Sequence, residues 1–328
     1  MPWVLNMLKK QRMTAMAIQL YLPEFTASVT ELAATAREIG MEFSVERERR
    51  LQDEYGFKKV PLEAEGTRLT DMISKVCIPL LRWATATGRR VDRILLVRTL
   101  DSYWQDEHPL REVRIQGAVE IPIHSLSQHN CASVHVGLLT AEALLSSGAA
   151  DGIMMVTVDK VYHPSLRQLP HSLLGDAAAA AYLSNSPGEH ELLAINCRVN
   201  PSIHAGYRSP VHELAWEETT YLFRIRQLIR DTLQSVGMNT RELRMMIGNN
   251  VNRSTWRQLA SMMEEEEELW YTDTIAQFGH LHCSDIWFNI QHAIQAGRLR
   301  EGDYYLTISV GLGSLGCSIH QYSGSRTG

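Results

Sequence analysis

The chain lacks the cysteine pattern of a disulfide-bonded or zinc-binding protein. Its five cysteines are scattered along 328 residues, are odd in number and include no C-x-x-C pair. Closely spaced, paired cysteines are typical of small secreted domains and of structural zinc sites, so their absence favours reduced thiols and a cytoplasmic location. The cysteines are Cys77, Cys131, Cys197, Cys283 and Cys317.

The chain also lacks long apolar runs and an excess of positive charge. No apolar run reaches the roughly 20 residues that a membrane-spanning helix needs. Lys9 and Lys10 near the N-terminus are not followed by the apolar segment and cleavage site of a signal peptide. With a formal net charge of -5, nothing favours binding to nucleic acid or to an anionic membrane surface.

Length and composition fit one large domain or two closely packed domains. Hydrophobic residues make up 45% of the chain and charged residues 21%, which is ordinary for a globular protein. Alternative start positions are present at Met7, Met13 and Met16, so we predict that residues 1–17 are a disordered extension.

Cys131 stands where a catalytic nucleophile is expected. It follows a polar segment and precedes an apolar run over 136–145 that predicts a helix, and residues 152–158 then predict a buried strand. A thiol at a helix N-terminus feels unpaired backbone N–H groups and the positive end of the helix dipole, which favour the nucleophilic thiolate. The alternative is a buried structural cysteine that behaves as a small hydrophobe.

The two halves of the chain look alike. The apolar segments 94–97 and 245–248 lie about 151 residues apart, and the same shift relates 153–158 to 304–309. The same shift relates the position of Cys131 to the turn that contains His280. Two βαβ-type halves arranged in this way would bring both turns to one crevice.

We therefore predict two structural units of unequal length. The first half spans 18–190 and contains the nucleophile Cys131, and the second spans 191–328 and contains Asn249 and His280.

Six short motifs stand in a definite order along the chain from about Ile18. They are Tyr21-Leu22-Pro23-Glu24, Cys131-Ala132-Ser133, Leu174-Gly175-Asp176-Ala177-Ala178-Ala179, Asn249-Asn250-Val251-Asn252, Gly279-His280 and Gly311-Leu312-Gly313. Each motif alone is weakly specific, but in order and spacing the set resembles the thiolase superfamily, most closely β-ketoacyl-ACP synthase III and its acyltransferase relatives. The resemblance implies an α/β fold, the five-layered αβαβα arrangement of two similar halves.

The same resemblance implies the residues that carry the chemistry. An acyl group would be held on Cys131, with no permanently bound cofactor. The backbone N–H of Cys131 and one from the turn between Gly311 and Gly313 would form the oxyanion hole. Asn252 would line the channel for the pantetheine arm.

Partners follow from the resemblance as well. The acyl donor would be coenzyme A or acyl carrier protein, and the chain would form a homodimer or a heterodimer with a related subunit. The loop around Trp104 and His108 would shape the acyl pocket, in part across the dimer interface.

Two polar residues depart from the ketosynthase pattern. Ketosynthase III enzymes place histidine in the first C-terminal motif and asparagine in the second, whereas this chain has Asn249 first and His280 second. Thiolases share that order, but they carry a second catalytic cysteine near the final glycine turn. That position holds Ser309 here.

Two reactions remain open on these residues. Acyl transfer needs a thiolate, a base and oxyanion donors, which Cys131, His280 and backbone amides supply; His280 would then deprotonate a hydroxyl, amine or thiol acceptor. Decarboxylative condensation needs two donors on a malonyl thioester, for which Asn249 and His280 are the candidates. Either reaction fits fatty-acid or secondary-metabolite biosynthesis.

Three other interpretations compete with these. His280, His282 and Cys283 are metal-ligand types, but no fourth ligand stands at a suitable spacing, so no metal is expected. Cys131, His280 and Asn249 also match the residue types of a cysteine hydrolase. Finally, the unusual polar pair fits a non-catalytic ketosynthase-like subunit, although the intact cysteine argues against it.

Overall fold

The computed structural model describes residues 12–99, 120–203 and 205–324. Its strands in chain order are β1 Thr14–Tyr21, β2 Thr26–Ser28, β3 Lys59–Pro61, β4 Arg93–Val97, β5 Ile123–Leu126, β6 Gly152–Asp159, β7 Gln168–Leu169, β8 Ser172–Leu173, β9 Ala177–Ser184, β10 His190–Val199, β11 Met245–Gly248, β12 Trp270–Tyr271, β13 Tyr304–Gly311 and β14 Ser314–Tyr322. The α-helices are α1 Val29–Glu38, α2 Val45–Arg49, α3 Leu69–Ala86, α4 Ser133–Ser146, α5 Val211–Ser235, α6 Arg253–Met263, α7 Ile275–Phe278 and α8 Asp285–Gln295.

Ten strands form one sheet that consists of two equivalent halves. The order is β12-β11-β13-β14-β10-β1-β9-β6-β4-β5. Outward from the junction of β1 with β10, the halves run β1-β9-β6-β4-β5 and β10-β14-β13-β11-β12, and in each the pairing changes from antiparallel to parallel at the third strand. The registers repeat too, since Ile94 pairs with Met154 and Met245 with Tyr305. The internal repeat predicted from the apolar segments is therefore present.

Helices cover both faces of each half and separate the two halves. Leu138 of α4 and Phe288 of α8 share the central hydrophobic cluster. Val76 of α3 belongs to a second cluster on the first half, and Leu228 of α5 and Leu259 of α6 belong to a third on the second half. The layers are helix, sheet, helix, sheet and helix, which confirms the predicted αβαβα fold.

Coverage on both faces explains why the parallel strands are mostly apolar. Every residue of β6 is buried, and its sequence is a nearly continuous run of branched and methionine side chains. Parallel strands buried on both faces lack the polar alternation of a half-exposed strand. The same pattern made β4, β11 and β13 recognisable in the sequence.

The disordered extension predicted for residues 1–17 overlaps the first strand of the structure. Strand β1 begins at Thr14, which pairs with Glu191 on one side and Ser184 on the other. Residues 14–17 thus belong to the sheet and not to a disordered segment. The loop around Trp104 and His108 lies outside the described residues.

The structure also bears on membranes, metals and thiols. None of the described helices has the length and apolar character to cross a membrane. Within the described segments, no group of three or more histidine, cysteine, aspartate or glutamate side chains is placed to hold a metal ion. All five cysteines are free thiols.

Candidate active site

Cys131 lies in a tight turn that leads directly into α4. It is the middle residue of the 3₁₀ turn Asn130–Ala132, and Asn130 adopts a left-handed conformation with φ of 50°. The Asn130 amide donates to the carbonyl of Leu312 at 3.0 Å, which fixes the turn against the end of β13. The sulfur is thus at the N-terminal end of a largely buried helix, as the sequence predicts.

His280 faces the sulfur from the second half of the chain. Its Nε2 lies 3.0 Å from Sγ of Cys131, and the ring is almost fully buried. The preceding Gly279 has φ of 59°, and a Cβ there would lie 2.3 Å from Cγ1 of Val60. Since only glycine fits, this turn holds the histidine in one position. The backbone N–H of His280 donates to Leu173 at 2.9 Å.

Asp285, the first residue of α8, completes a chain of three groups. Its Oδ2 lies 2.5 Å from Nδ1 of His280 and also accepts the N–H of Asn250 at 2.6 Å, while Oδ1 accepts the N–H of Leu281 at 2.7 Å. The carboxylate is fully buried. Cys131, His280 and Asp285 are therefore arranged like the nucleophile, base and orienting acid of a catalytic triad.

The surroundings of His280 favour its protonated form. Burial alone lowers the pKa of His280, but the negative charges of Cys131 and Asp285, with their hydrogen bonds, outweigh this and raise it well above its usual value. The neighbouring His282 behaves in the opposite way. Its ring stacks on His280 with centroids 5.5 Å apart, and burial, followed by the charges of His280 and Arg167, lowers its pKa well below the usual value. His280 alone of this pair is suited to proton transfer.

A hydroxyl and a second thiol lie beside the nucleophile. Oγ1 of Thr99 is 3.7 Å from Sγ of Cys131 and 3.1 Å from Sγ of Cys283, and the N–H of Thr99 donates to Asp159 at 2.8 Å. Burial, followed by the negative charges of Asp159 and Cys131, raises the pKa of Cys283 well above its usual value. Cys283 is therefore held as a neutral thiol.

The amide of Asn249 is bound to the backbone of β13. Its Nδ2 donates to the carbonyl of Val310 at 3.1 Å, and its Oδ1 accepts the N–H of Val310 at 3.3 Å. Both ends of the side chain are thus occupied, and the geometry gives no support to the predicted role as a catalytic donor. Its neighbour Asn250 instead supports the site, because it bonds Asp285 through its N–H and Gly279 through its amide.

Asn252 caps a helix. Its Oδ1 accepts the N–H of Thr255 at 2.6 Å at the start of α6, and its Nδ2 donates to the carbonyl of His171 at 3.0 Å. A cap of this kind stabilises the first turn of the helix. Contact with a pantetheine arm stays a prediction.

The turn between Gly311 and Gly313 lies against the nucleophile. A Cβ on Gly311 would lie 3.3 Å from the backbone nitrogen of Cys131, and one on Gly313 would lie 2.7 Å from Cβ of Ile203. Gly313 also has φ of 77°. The turn therefore needs glycine to approach Cys131 so closely, and the oxyanion hole predicted there stays a prediction.

Ser309 belongs to a different polar network. Its hydroxyl lies 2.5 Å from Nδ1 of His135, whose Nε2 is 2.9 Å from the hydroxyl of Thr307. His135, His190 and His320 are buried, and we call them the core histidines. Burial lowers the pKa of His135 and of His190 to about 3, so both are neutral. Burial likewise lowers the pKa of His320 well below its usual value.

Sequence reasoning missed Asp285 and Thr99. Asp285 carried a usable signal, because an acidic residue at a predicted helix start, five residues after His280, can return a carboxylate to the ring. Thr99 carried none, since its place beside Cys131 depends on the end of β4 meeting the start of α4.

The fold is thiolase-like, and a cysteine, a histidine and an aspartate lie in contact at the junction of its two similar halves. Residues 127–201 match the family model for 3-oxoacyl-[acyl-carrier-protein] synthase III, and residues 233–322 match the model for its C-terminal part. The chain belongs to this family, whose members are acyl-transferring and condensing transferases.

Solved structures of similar proteins share the fold over nearly the whole chain. The acyltransferase ChlB3 superposes with a TM-score of 0.79 at 19% identity, covering 96% of this chain and 98% of that one. 3-Oxoacyl-(acyl carrier protein) synthase III, FabH, from Pseudomonas aeruginosa PAO1 gives 0.76 at 19% identity, covering 96% and 99%. A variant of OleA from Xanthomonas campestris gives 0.73 at 16% identity, covering 95% and 99%. No curated protein sequence gives a significant match.

Proposed function

We propose that this protein transfers an acyl group through a thioester on Cys131, from acyl-CoA or acyl-ACP to a hydroxyl, amine or thiol acceptor. The observation that carries the proposal is the chain from Sγ of Cys131 to His280 at 3.0 Å and on to Asp285. Membership of a family of acyl-transferring and condensing enzymes supports it, and so does the fold shared with a protein described as an acyltransferase.

In the first half-reaction the thiolate of Cys131 attacks the donor thioester. A new bond forms between Sγ and the carbonyl carbon, and the oxygen takes up negative charge beside the backbone N–H of Cys131 and the Gly311 turn. The intermediate then expels the thiolate of the carrier. Protonated His280 gives its proton to that leaving sulfur and becomes neutral.

In the second half-reaction neutral His280 acts as the base. It takes the proton from the acceptor O–H, N–H or S–H while the acceptor attacks the acyl carbon of the thioester. Collapse of the intermediate breaks the bond to Cys131 and restores the thiolate beside protonated His280. Asp285 keeps Nδ1 protonated throughout, so that Nε2 faces the reacting groups.

Decarboxylative condensation is the second candidate, and the geometry favours it less. That reaction needs two donors directed at the carbonyl of a malonyl thioester as an enolate forms. The amide of Asn249 is committed to Val310 at both ends, which leaves His280 as the one remaining donor of the predicted pair. A non-catalytic role receives no support, because nucleophile, base and acid stand in contact.

Several further statements belong to the same proposal. The acyl donor is carried by coenzyme A or by the phosphopantetheine of acyl carrier protein, and no permanently bound cofactor takes part. We expect a dimer, either of two copies of this chain or with a related subunit. Five free thiols are in keeping with a cytoplasmic enzyme.

Intact-mass spectrometry tests the proposal. Incubation with a panel of acyl-CoA and acyl-ACP donors should add one acyl mass to the protein, and Cys131→Ala should remove the adduct. Addition of an alcohol, amine or thiol should then release it as ester, amide or thioester, whereas malonyl-ACP should not yield a ketoacyl product. Absence of any adduct across the panel would exclude the proposed chemistry.

Replacement of the histidines tests which of them acts. His280→Ala should slow self-acylation and transfer far more than His282→Ala, since of these two histidines it is His280 that lies 3.0 Å from the sulfur of Cys131. Equal rates for the two variants would remove His280 from the mechanism.

A further inference from the structure

The sulfur of Cys131 has a second polar neighbour besides His280. Oγ1 of Thr99 lies 3.7 Å from it, a long distance for oxygen partners but one that the larger sulfur atom allows. Thr99 follows β4 in the first half of the chain, whereas His280 belongs to the second half. The two side chains therefore reach the sulfur from different halves of the fold.

A buried carboxylate holds the backbone of Thr99 in this place. Asp159, the last residue of β6, is 2% exposed, and its Oδ1 accepts the N–H of Thr99 at 2.8 Å. Its Oδ2 accepts the N–H of Cys283 at 3.4 Å. Because Thr99 is held through its backbone, its position beside Cys131 does not depend on its own hydroxyl group.

The hydroxyl of Thr99 is used differently from other threonine hydroxyls of the chain. Those of Thr140 and Thr232 donate to the carbonyl four residues earlier in their helices, at 2.8 and 2.7 Å. Among the described residues, the partners of the Thr99 hydroxyl are instead two sulfur atoms, those of Cys131 and Cys283. This hydroxyl therefore serves the thiols and not the backbone.

The protonation states of the two thiols decide where the hydroxyl hydrogen points. Burial, as the largest cause, raises the pKa of Cys283, so this thiol keeps its hydrogen and can donate it to Oγ1 of Thr99 at 3.1 Å. Burial lowers the pKa of His280, but the charges of Cys131 and Asp285 outweigh this, so the Cys131 sulfur lies beside a protonated ring. Since a charged acceptor forms the stronger hydrogen bond, the single hydrogen of the Thr99 hydroxyl points to Cys131.

We propose that Thr99 is a further catalytic residue, whose hydroxyl donates to the thiolate of Cys131 and keeps the sulfur charged for attack on the donor thioester. The inference rests on the proposed function, because it adds a second donor to the nucleophile of the first half-reaction. Thr99 keeps its hydrogen throughout, and the proton transfers stay with His280.

A donor to a thiolate has a kinetic signature that a structural residue lacks. It makes the thiolate available at lower pH, but it also lowers the intrinsic reactivity of that thiolate, with a Brønsted coefficient of about 0.4–0.5. Removal of the donor should therefore move the pH dependence of Cys131 to higher pH without lowering the rate on the high-pH plateau. Damage to the structure of the site would instead lower the plateau.

Thr99→Val removes the hydroxyl and keeps the branched shape of the side chain. Alkylation by iodoacetamide is followed at the peptide that contains Cys131, over a range of pH. The midpoint should rise by about 0.4–1.1 pH units, which corresponds to the loss of one hydrogen bond, and the plateau rate should be equal or higher. Thr99→Ser keeps the hydroxyl and should restore the original midpoint. If Thr99→Val does not fold, Thr99→Ala removes the same group.

Loading from acetyl-CoA, followed by intact mass, should show the same pattern. In Thr99→Val it should slow about two- to fourfold well below the midpoint, since the smaller fraction of thiolate is partly offset by its higher reactivity. On the plateau it should not slow. The threonine variants leave the surrounding titratable groups unchanged. These groups are Asp159, Tyr207, Tyr221, His280, Cys283 and Asp285.

Two further variants separate the bond to Cys131 from other effects. Thr140→Val makes the same change at another partly buried position, on the helix that follows Cys131, and should leave the alkylation profile in place. Cys283→Ala removes the other partner of the Thr99 hydroxyl and leaves its hydrogen on Cys131. Its midpoint should therefore move by less than half of the shift in Thr99→Val.

Three results would overturn the inference while the proposed function stands. They are an unchanged midpoint in Thr99→Val, a midpoint shift in Thr99→Ser as large as in Thr99→Val, and an equal shift in Cys283→Ala. The last would assign the effect to the thiol of Cys283. Failure of the unaltered protein to load from any acyl donor would remove the proposed function and the catalytic role of Thr99 with it, whereas the alkylation profile would still report the hydrogen bond to the sulfur.

Discussion

Replacing Asp285 by asparagine removes a negative charge from the centre of the site and keeps the size of the side chain. The carboxylate is fully buried and accepts from the ring of His280 and from the N–H groups of Asn250 and Leu281. Asparagine carries an NH2 group in place of one of the two oxygens. At least one of the three donors must then face another donor, or the His280 ring must change its tautomer.

The expected loss of rate follows from these contacts. A hydrogen bond to a charged group contributes about 1.5–3 kcal/mol, which corresponds to roughly 10- to 150-fold in rate. A wrong tautomer adds to this, since the equivalent change in a serine protease lowers kcat by about 10⁴-fold. We therefore expect Asp285→Asn to slow acyl transfer by about 10²- to 10⁴-fold. It should also lower the pKa of His280, because the Asp285 charge is one of the causes that raise it.

Alkylation of Cys131 by iodoacetamide across a range of pH measures the effect directly. A less basic His280 stabilises the thiolate less, so the alkylation profile of Asp285→Asn should move to higher pH while acyl transfer slows. Asp273→Asn is the control, because that half-exposed aspartate pairs with Arg298 at 3.4 Å, outside the site. An unchanged profile with a rate within about threefold of the unaltered protein would refute the role of Asp285. Additive losses of rate in the double variant Asp285→Asn/His280→Ala would also refute it. A residue that acts through His280 should cause no further loss when the histidine is already absent.

Three other predictions concern the same structure. Gly279→Ala should lower the free energy of unfolding by about 1–3 kcal/mol, because both the left-handed backbone and the 2.3 Å approach to Val60 oppose a Cβ. Gly297 is the control position, because its φ is 65° and a Cβ there would have no atom within 4 Å. An equal loss of stability in Gly297→Ala would show that contact with Val60 plays no part. Only the Cys131→Ala variant should fail to gain an acyl mass, whereas Cys197→Ala should load normally; an adduct that survives the first change places the nucleophile elsewhere. The core histidines are neutral when folded, because burial lowers their pKa values, so stability should fall as pH drops below about 6.5, by up to about 1.4 kcal/mol per pH unit for each. His280, whose pKa is raised, is protonated in both the folded and the unfolded state below about 6.5 and adds no slope there. Flat denaturant midpoints from pH 7 to 5 would contradict this.

The fold was largely predictable because its main signals are local. The four parallel strands that define the two halves are largely apolar runs, and a spacing of about 151 residues between equivalent runs exposes the repeat. The start of β1 was not predictable in this way. Residues 14–17 join the sheet through partners such as Glu191 and Ser184, which lie far along the chain.

The site was only partly predictable, for a related reason. Cys131 and His280 stand in equivalent turns before helices, so the repeat brings them together. Asp285 joins them because Gly279 adopts a backbone conformation that points the histidine ring back toward the first turn of α8. Asn249 fills a family position, yet its amide binds Val310, 61 residues away in the chain, and no local pattern reports that bond.

The exchange of asparagine and histidine between the two C-terminal motifs is the physical reason for proposing simple acyl transfer over condensation. A histidine in the second motif stands five residues before Asp285, at the start of a buried helix whose first turn favours a negative charge. The ring therefore gains a carboxylate partner at Nδ1 and faces the sulfur with Nε2. Asparagine in the first motif meanwhile turns to the backbone of β13, and the site has one strong proton carrier in place of two neutral donors. Such a site can exchange protons with an acceptor O–H or N–H. Stabilising an enolate oxygen instead requires two hydrogen-bond donors, and the amide of Asn249 is not free to be one of them.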